Sequence, residues 1–228
     1  MTEPAASAPE FFNEIGDRYD EVISRCVPRY HEMLDQMLDY LPALSGPIRI
    51  LELGCGSGNL TTKIIKRYPE SKLTVVDASE KMISLVENRF QTQTNVVYVR
   101  ELFQNLDFAN DSFDLILSSI SIHHLTDREK LDLFSRTRDW LSDSCIFTFC
   151  DQFSGASADI YARHISFWKQ ASFEMGATEQ EWADWMDHQQ DHDFHSSLQT
   201  HFSLLEKAGY GSVDCLRRHY LWTTLSCR

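Results

Sequence analysis

The feature that most restricts how this chain can fold is a short apolar run, residues 48–53, that leads into three glycines at alternate positions, Gly54, Gly56 and Gly58. A run of that length reads as a buried strand. Glycine reaches positive φ without steric penalty and lets the backbone approach a ligand closely, so the loop predicts a tight turn from this strand into a helix ending near Arg67. An acid, Glu52, sits on the strand just before the loop. A dinucleotide site would carry G-x-G-x-x-G, with the third glycine packing helix on strand beside a pyrophosphate. Here Asn59 occupies that third place.

Strand and helix signals alternate over the next hundred residues. Strands are expected at 73–76, 96–99, 113–118 and 145–149, with a helix opening at Ser79, which has Glu80 in its first turn, and another over 128–141. This pattern predicts an α/β fold, a mostly parallel sheet with helices on both faces and ligands at the carboxyl ends of its strands. The alternation stops after a helix over 196–207 that Gly209 ends. Two β-rich runs follow, 212–216 and 220–225, too close for a crossover helix, so they should pair as a terminal antiparallel hairpin at the sheet edge. Ahead of the first strand, helical spacing of apolar residues from Phe11 to Leu41, interrupted by Pro28, predicts a cap of two helices, with a turn at 45–47. The chain is thus expected as one domain over 11–228 after a flexible terminus, 1–10: a helical cap (11–45), a ligand-binding core (48–150), a helical lid (152–195) and a last helix with the hairpin (196–228).

Charge and composition narrow the function. The net charge of -13 repels phosphate backbones and anionic membrane surfaces, so no nucleic-acid or membrane partner is expected. Residues 1–10 lack a basic stretch followed by an apolar run, and no stretch of about 18 apolar residues occurs, so neither secretion nor a membrane span is expected. The six cysteines are scattered without a C-x-x-C pair, which suits reduced thiols and a cytoplasmic location.

Asp77, ending the second strand, is suited to accept hydrogen bonds from the two hydroxyls of a ribose. Taken in order, Glu52 to Gly58, Asp77, the phrase Asn110-Asp111-Ser112-Phe113-Asp114 and the run SSISIHHL (118–125) resemble the successive motifs of class I S-adenosylmethionine-dependent methyltransferases across about residues 11–228. The resemblance implies a seven-stranded sheet, S-adenosylmethionine (SAM) as cofactor and S-adenosylhomocysteine as product. It places Glu52, Gly54, Gly56, Gly58, Asp77, Ala78, Met82, Leu102, Phe103 and Ser119 at the cofactor. Phrases around Arg18-Tyr19-Asp20, Val27-Pro28-Arg29-Tyr30, Thr200-His201 and Lys207-Ala208-Gly209-Tyr210 are similar to carboxy-S-adenosylmethionine synthase and its methyltransferase relatives, which adds Tyr19 and Tyr30 to the cofactor set. Two departures matter. The synthase family has an arginine for its ligand's carboxylate where this chain has Leu204, which favours ordinary SAM. The acid that methyltransferases commonly aim at the adenine amino group is replaced by Leu102, leaving either Glu101 or apolar contacts with the Phe103 amide.

On the substrate side, bulky residues crowd 152–195 (Phe153, Tyr161, Phe167, Trp168, Phe173, Met175, Trp182, Trp185 and Met186). Phe12, Tyr161, Trp168 and Trp185 are the candidate substrate contacts, although any one of these aromatics also reads as core. His123 and His124 follow the fourth strand and are the candidate catalytic pair, one of them orienting or deprotonating the acceptor. His188 and His192 share a helical face, with His195 and Asp187, Asp191 and Asp193 nearby, as a metal site would require. An acidic, histidine-bearing surface loop explains the same letters, so no metal is expected. The leading reading is a methyltransferase acting on a small molecule, with a homodimer left open. The rivals are a carboxy-SAM synthase-like transferase, a non-catalytic SAM-binding or partner module, and, more distantly, a nicotinamide dehydrogenase.

Overall fold

The computed structural model describes residues 8–44 and 46–228, so residues 1–7 of the flexible terminus and Ser45 of the expected turn lie outside the described residues. Among the described residues one mixed sheet of seven strands organises the fold, in the order β3-β2-β1-β4-β5-β7-β6. Strands β1 (Arg49–Leu53), β2 (Lys72–Asp77), β3 (Val96–Arg100), β4 (Phe113–Ser119) and β5 (Leu141–Gln152) run parallel. The hairpin of β6 (Val213–His219) and β7 (Trp222–Cys227) joins antiparallel through β7 to β5. The strand order reverses between β1 and β4, and the crevice outside their carboxyl ends is where an open α/β sheet binds its ligand.

Each central strand is apolar on both faces, as a sheet covered twice must be. Ile50, Leu73, Val75, Leu115 and Leu117 face one core layer, while Leu51, Leu53, Val76 and Ile116 face the other. The first layer packs under α2 (Tyr19–Cys26), α3 (Tyr30–Asp39), α4 (Asn59–Arg67), α5 (Glu80–Arg89) and the tryptophans of α7 (Ala158–Glu174) and α8 (Glu179–His192). The second packs under α6 (Asp127–Trp140) and α9 (Leu198–Lys207). No helix of the described residues is long and apolar enough to cross a membrane.

The N-terminal cap departs from expectation. A helix, α1 (Ala8–Ile15), begins inside the stretch read as flexible, with Pro9 in its first turn, where a missing N–H costs nothing. A single turn of 3-10 helix, Gly16–Arg18, then separates α1 from α2, so the cap has three helices rather than two. A side chain at Gly16 would meet Lys81, whose amine pairs with Asp17 at 2.7 Å. Asn13 Oδ1 accepts from Ser79 Oγ at 2.8 Å and from Lys81 N at 3.1 Å, which latches α1 onto the start of α5. The hairpin lies one or two residues later than read, because its turn falls at Tyr220-Leu221, with Tyr220 at φ 56°.

Candidate functional site

A cavity enclosing about 970 Å³ of space, its open mouth included, lies at the reversal point of the sheet. The glycine loop forms one edge of it. Gly54 (φ +71°) and Gly56 (φ +52°) both need left-handed backbone, and a side chain at Gly54 would run into Ser121. The loop is held from three sides. Gly54 N and Cys55 N both donate to Val76 O at 2.9 Å, and Gly56 N donates to Asp77 Oδ2 at 2.9 Å. The third anchor is Asp20, whose carboxylate accepts from Ser57 Oγ, from Asn59 Nδ2 at 2.9 Å and from Arg89 at 2.5 Å. Asn59 therefore stands where a dinucleotide loop has glycine because its amide joins helix to loop through Asp20. Burial pushes the Asp20 carboxyl up, but the bonds from Ser57, Arg89 and Asn59 outweigh it and carry it below the usual range.

Asp77 accepts from Gly56 N and, through Oδ1, from Ser79 N at 2.9 Å. Each oxygen keeps a second lone pair for a ligand. Its carboxyl is raised by burial, against which the backbone N–H bonds pull it down. Tyr19, Tyr30, Gly54, Gly56, Asp77, Ala78, Met82, Leu102, Phe103 and Ser119 all line the cavity, as does Phe12.

Two residues of the expected cofactor set do not. Glu52 is wholly buried below the loop, where one oxygen accepts from Thr61 Oγ1 at 2.7 Å and the other has no partner. Gly58 caps α4 at φ +91°, packed so that a side chain would meet Phe90 and Val86 at about 3 Å. Both shape the loop from behind. The lid residues need a larger correction. Trp168 is fully buried and donates from Nε1 to Cys26 O at 2.5 Å, while Trp185 is 5% exposed in the same apolar layer. They are core, because α7 and α8 must bury an apolar face against α2. Tyr161 is also away from the cavity, its hydroxyl 2.5 Å from His195 Nδ1. Leu204 is buried in the second core layer and does not itself line this cavity.

At the adenine end expected from the sequence, Glu101 does not line the cavity. It bonds Leu102 N at 2.9 Å and Asn105 Nδ2 at 2.8 Å. Gln104, which the sequence reading passed over, does line it, and its amide nitrogen donates to Glu129 at 3.0 Å, leaving the carbonyl oxygen available. Ile120, also missed, lines the cavity at φ 52°, a strained conformation for a β-branched residue, held by its N–H bond to Cys150 O at 2.8 Å.

The histidines divide. His124 lines the cavity, while His123 is buried behind it with Nδ1 2.5 Å from Asp151 Oδ1. Burial would lower the His123 pKa, but Asp193 and Asp151 raise it instead. His124 is lowered, by burial first and then by His123. The segment 188–195 is not the surface loop read from the sequence. The side chains of His188, Asp193 and His195 are all under 5% exposed, and they meet His123 and His124 there. A backbone bond from Phe194 N to His123 O at 2.7 Å fixes the meeting, and buried Lys130 ties the same segment down through Phe194 O and Ser196 Oγ. No spacing rule links Lys130, Asp151 and Asp193, so the fold alone brings them together.

Residues 50–144 match the family described as Methyltransferase domain. The chain is 30% identical over 120 residues to the malonyl-[acyl-carrier protein] O-methyltransferase of Bacillus anthracis, covering 53% of this chain and 44% of that one. It is 22% identical over 220 residues to the carboxy-S-adenosyl-L-methionine synthase of Nautilia profundicola, covering 96% and 93%. It thus spans less than half the length of the first relative and nearly all of the second. Among solved structures, phosphoethanolamine N-methyltransferase 2 of Haemonchus contortus, in complex with phosphomonomethylethanolamine and S-adenosylhomocysteine, superposes with a TM-score of 0.68 at 17% identity. The match covers 93% of this chain and 47% of that one, and the two share the fold.

Proposed function

We propose, from the methyltransferase domain matched by residues 50–144, that this chain is a SAM-dependent methyltransferase acting on a small, uncharged or amine-bearing acceptor. The observation that carries the reading is Asp77, a carboxylate at the end of β2 with lone pairs to spare, facing a glycine loop that passes too close for side chains. Bound there, SAM would supply an electrophilic methyl group on a sulfonium. Asp77 would hold the ribose hydroxyls, and Gly54 and Gly56 would let the backbone meet the amino-acid part. Ala78, Met82, Leu102 and Phe103 would sandwich the adenine, with the free carbonyl oxygen of Gln104 taking its amino group.

The remaining wall, Phe12, Tyr19, Ile120, His124 and Leu125, suits the acceptor. In-line displacement mainly requires a positioned nucleophile and exclusion of water. The latch of Asn13 on α5 sets Phe12 over the cavity, and His124 offers an imidazole to orient the acceptor atom. Among the described residues no arginine or lysine lines the cavity. That lining offers no counter-charge for a second carboxylate on the cofactor beyond the one SAM itself carries, and it disfavours anionic acceptors as well.

Isothermal titration with SAM and S-adenosylhomocysteine, beside Gly56→Arg, tests the cofactor. Binding by the native chain and not by the variant is expected, and no binding to either ligand sinks the reading. Incubation with SAM and a panel of neutral, amine and carboxylate metabolites, followed by mass spectrometry, then tests the acceptor class. Methylation confined to carboxylates would overturn that class.

A further inference from the structure

Asp193 is placed in an arrangement that a protein seldom tolerates. Its side chain is 1% exposed, and its oxygens are approached only by imidazoles, none of them in good hydrogen-bond alignment. Around it stand His124 Nδ1 at 3.1 Å, His195 Nε2 at 3.3 Å, His123 Nε2 at 3.5 Å and His188 Nε2 at 3.9 Å. Both ring nitrogens of His124 and of His188 lack aligned partners. A buried carboxylate without hydrogen bonds or a counter-charge costs several kcal/mol by general experience. The imidazoles around it must therefore supply positive charge, either as an imidazolium or through a metal ion that they share.

The outer partners fix the protons. Gln189 donates to the Tyr161 oxygen at 3.3 Å, so the Tyr161 O–H is free to donate to His195 Nδ1. His195 Nε2 then carries hydrogen and turns it toward Asp193 Oδ2. Asp151 already accepts from Ile122 N, His123 N and Gln152 N, and it takes the Nδ1–H of His123 as well. That leaves the bare lone pair of His123 Nε2 facing Asp193 Oδ1. Two lone pairs turned toward each other require something positive between them, a proton on His123 or a metal ion, and the Asp151 carboxylate behind the His123 imidazole is the support that a metal ligand usually has.

We propose that Asp193, His123 and His124, with His188 closing the set, bind a divalent transition cation, with zinc as the reference ion. The ligand atoms offered by His123, His124 and Asp193 all lie within 4.8 Å of one another. The oxygen-to-nitrogen separations of 3.1 and 3.5 Å match the edge of about 3.4 Å that a tetrahedral zinc site with bonds near 2.1 Å requires. Imidazole with one carboxylate suits zinc, iron(II) and cobalt(II) and not magnesium or calcium. His192, the partner that sequence spacing gave to His188, only packs ring to ring at 5.0 Å.

The site has a structural consequence. Its ligands come from two places, the turn after β4 and the end of α8, so the cation clamps the lid helix to the sheet. Phe11 stacks on His188 at 4.1 Å between ring centres and Phe12 meets both His188 and His124, which draws α1 into the same closure. His124 would bind through Nδ1 and present Nε2–H to the cavity, making it an orienting donor rather than a base. This last step rests on the methyltransferase reading; the cation site itself does not.

The test uses the full chain, stripped by chelator and titrated with Co2+ under reducing conditions. Expected are one equivalent bound, visible d–d bands of a nitrogen and oxygen site, a raised thermal midpoint, and displacement by Zn2+ but not Mg2+. Tyr161→Phe, which frees His195, should weaken binding about 10–100-fold while leaving the fold intact. Asp193→Asn should abolish it, and if that variant fails to fold, His188→Gln reports instead. A thiolate-to-cobalt charge-transfer band would assign the ion to a cysteine and overturn the proposal. So would the absence of stoichiometric binding, which would leave a proton on His123 as the counter-charge. S-adenosylhomocysteine titration of the stripped protein is run in parallel, so loss of the metal site and loss of the cofactor site are read separately.

Discussion

Glu52 makes the buried side of the glycine loop measurable. It is wholly buried on β1 with one oxygen unpartnered, and burial pushes its carboxyl from 4.5 up to about 8, against the smaller opposing pull of the Thr61 bond. In the unfolded chain the group loses its proton near its ordinary value, so between these two values the folded state holds a proton that the unfolded state has released. Raising pH through that window therefore costs stability, which is the reverse of a salt-bridged carboxylate. From pH 5.5 to about 8.5 the loss attributable to this one group is roughly 3 kcal/mol. Glu52→Gln keeps a carbonyl oxygen for Thr61 and removes the titration, though its amide nitrogen lacks a partner and lowers stability at every pH by about 1–3 kcal/mol. Urea unfolding of both proteins at the two pH values gives the double difference, in which groups not coupled to Glu52 cancel. A double difference of about 2–4 kcal/mol is expected. A value below about 1 kcal/mol would falsify the assignment of Glu52 as a neutral, buried carboxyl.

Asp77→Asn replaces one acceptor with a donor facing Gly56 or Ser79 and withdraws charge from the ribose; S-adenosylhomocysteine affinity measured by titration should fall about 30–1000-fold, and a change under threefold would remove Asp77 from the site. Gln104→Leu tests the adenine contact, with about a tenfold loss of affinity expected and an unchanged thermal midpoint. Trp168→Ala should cost about 3–5 kcal/mol in denaturant unfolding, because it opens a cavity in the core and strips the Cys26 carbonyl of a donor; a KM effect without a stability loss would return Trp168 to the substrate wall. Lys130→Met removes the bonds to Phe194 and Ser196, so proteolysis should begin near residues 193–197, and cleavage elsewhere first would deny Lys130 its anchoring role.

The glycine-loop side of the cavity was legible because it is made of local rules. Gly54 and Gly56 needed left-handed backbone, and Asp77 ended a strand whose length and apolar content were plain. What failed was the direction of side chains on helices whose neighbours were unknown. Trp168 and Trp185 carry the same letters whether they face a ligand or α2, and only packing chose α2. Glu52 and Gly58 belong to the loop motif by position, yet β1 alternates its faces and α4 turns Gly58 toward Phe90, so both act from beneath.

The histidines show the same limit from the other direction. Spacing paired His188 with His192 on one helical face, and that geometry is real, but a binding site needs atoms converging on a point rather than residues sharing a face. Convergence came from His123 and His124, some sixty residues away in sequence, and it is set by the bond from Phe194 N to His123 O and by Lys130 beneath it. The fold thus spends two buried anchors on holding one segment against the turn after β4. A segment held only to cover apolar surface would have no use for a buried carboxylate, since replacing Asp193 with a leucine would serve that purpose with no desolvation cost. The proposed cation would account for the position of Asp193, and His124 would connect it to the wall where the acceptor is proposed to sit.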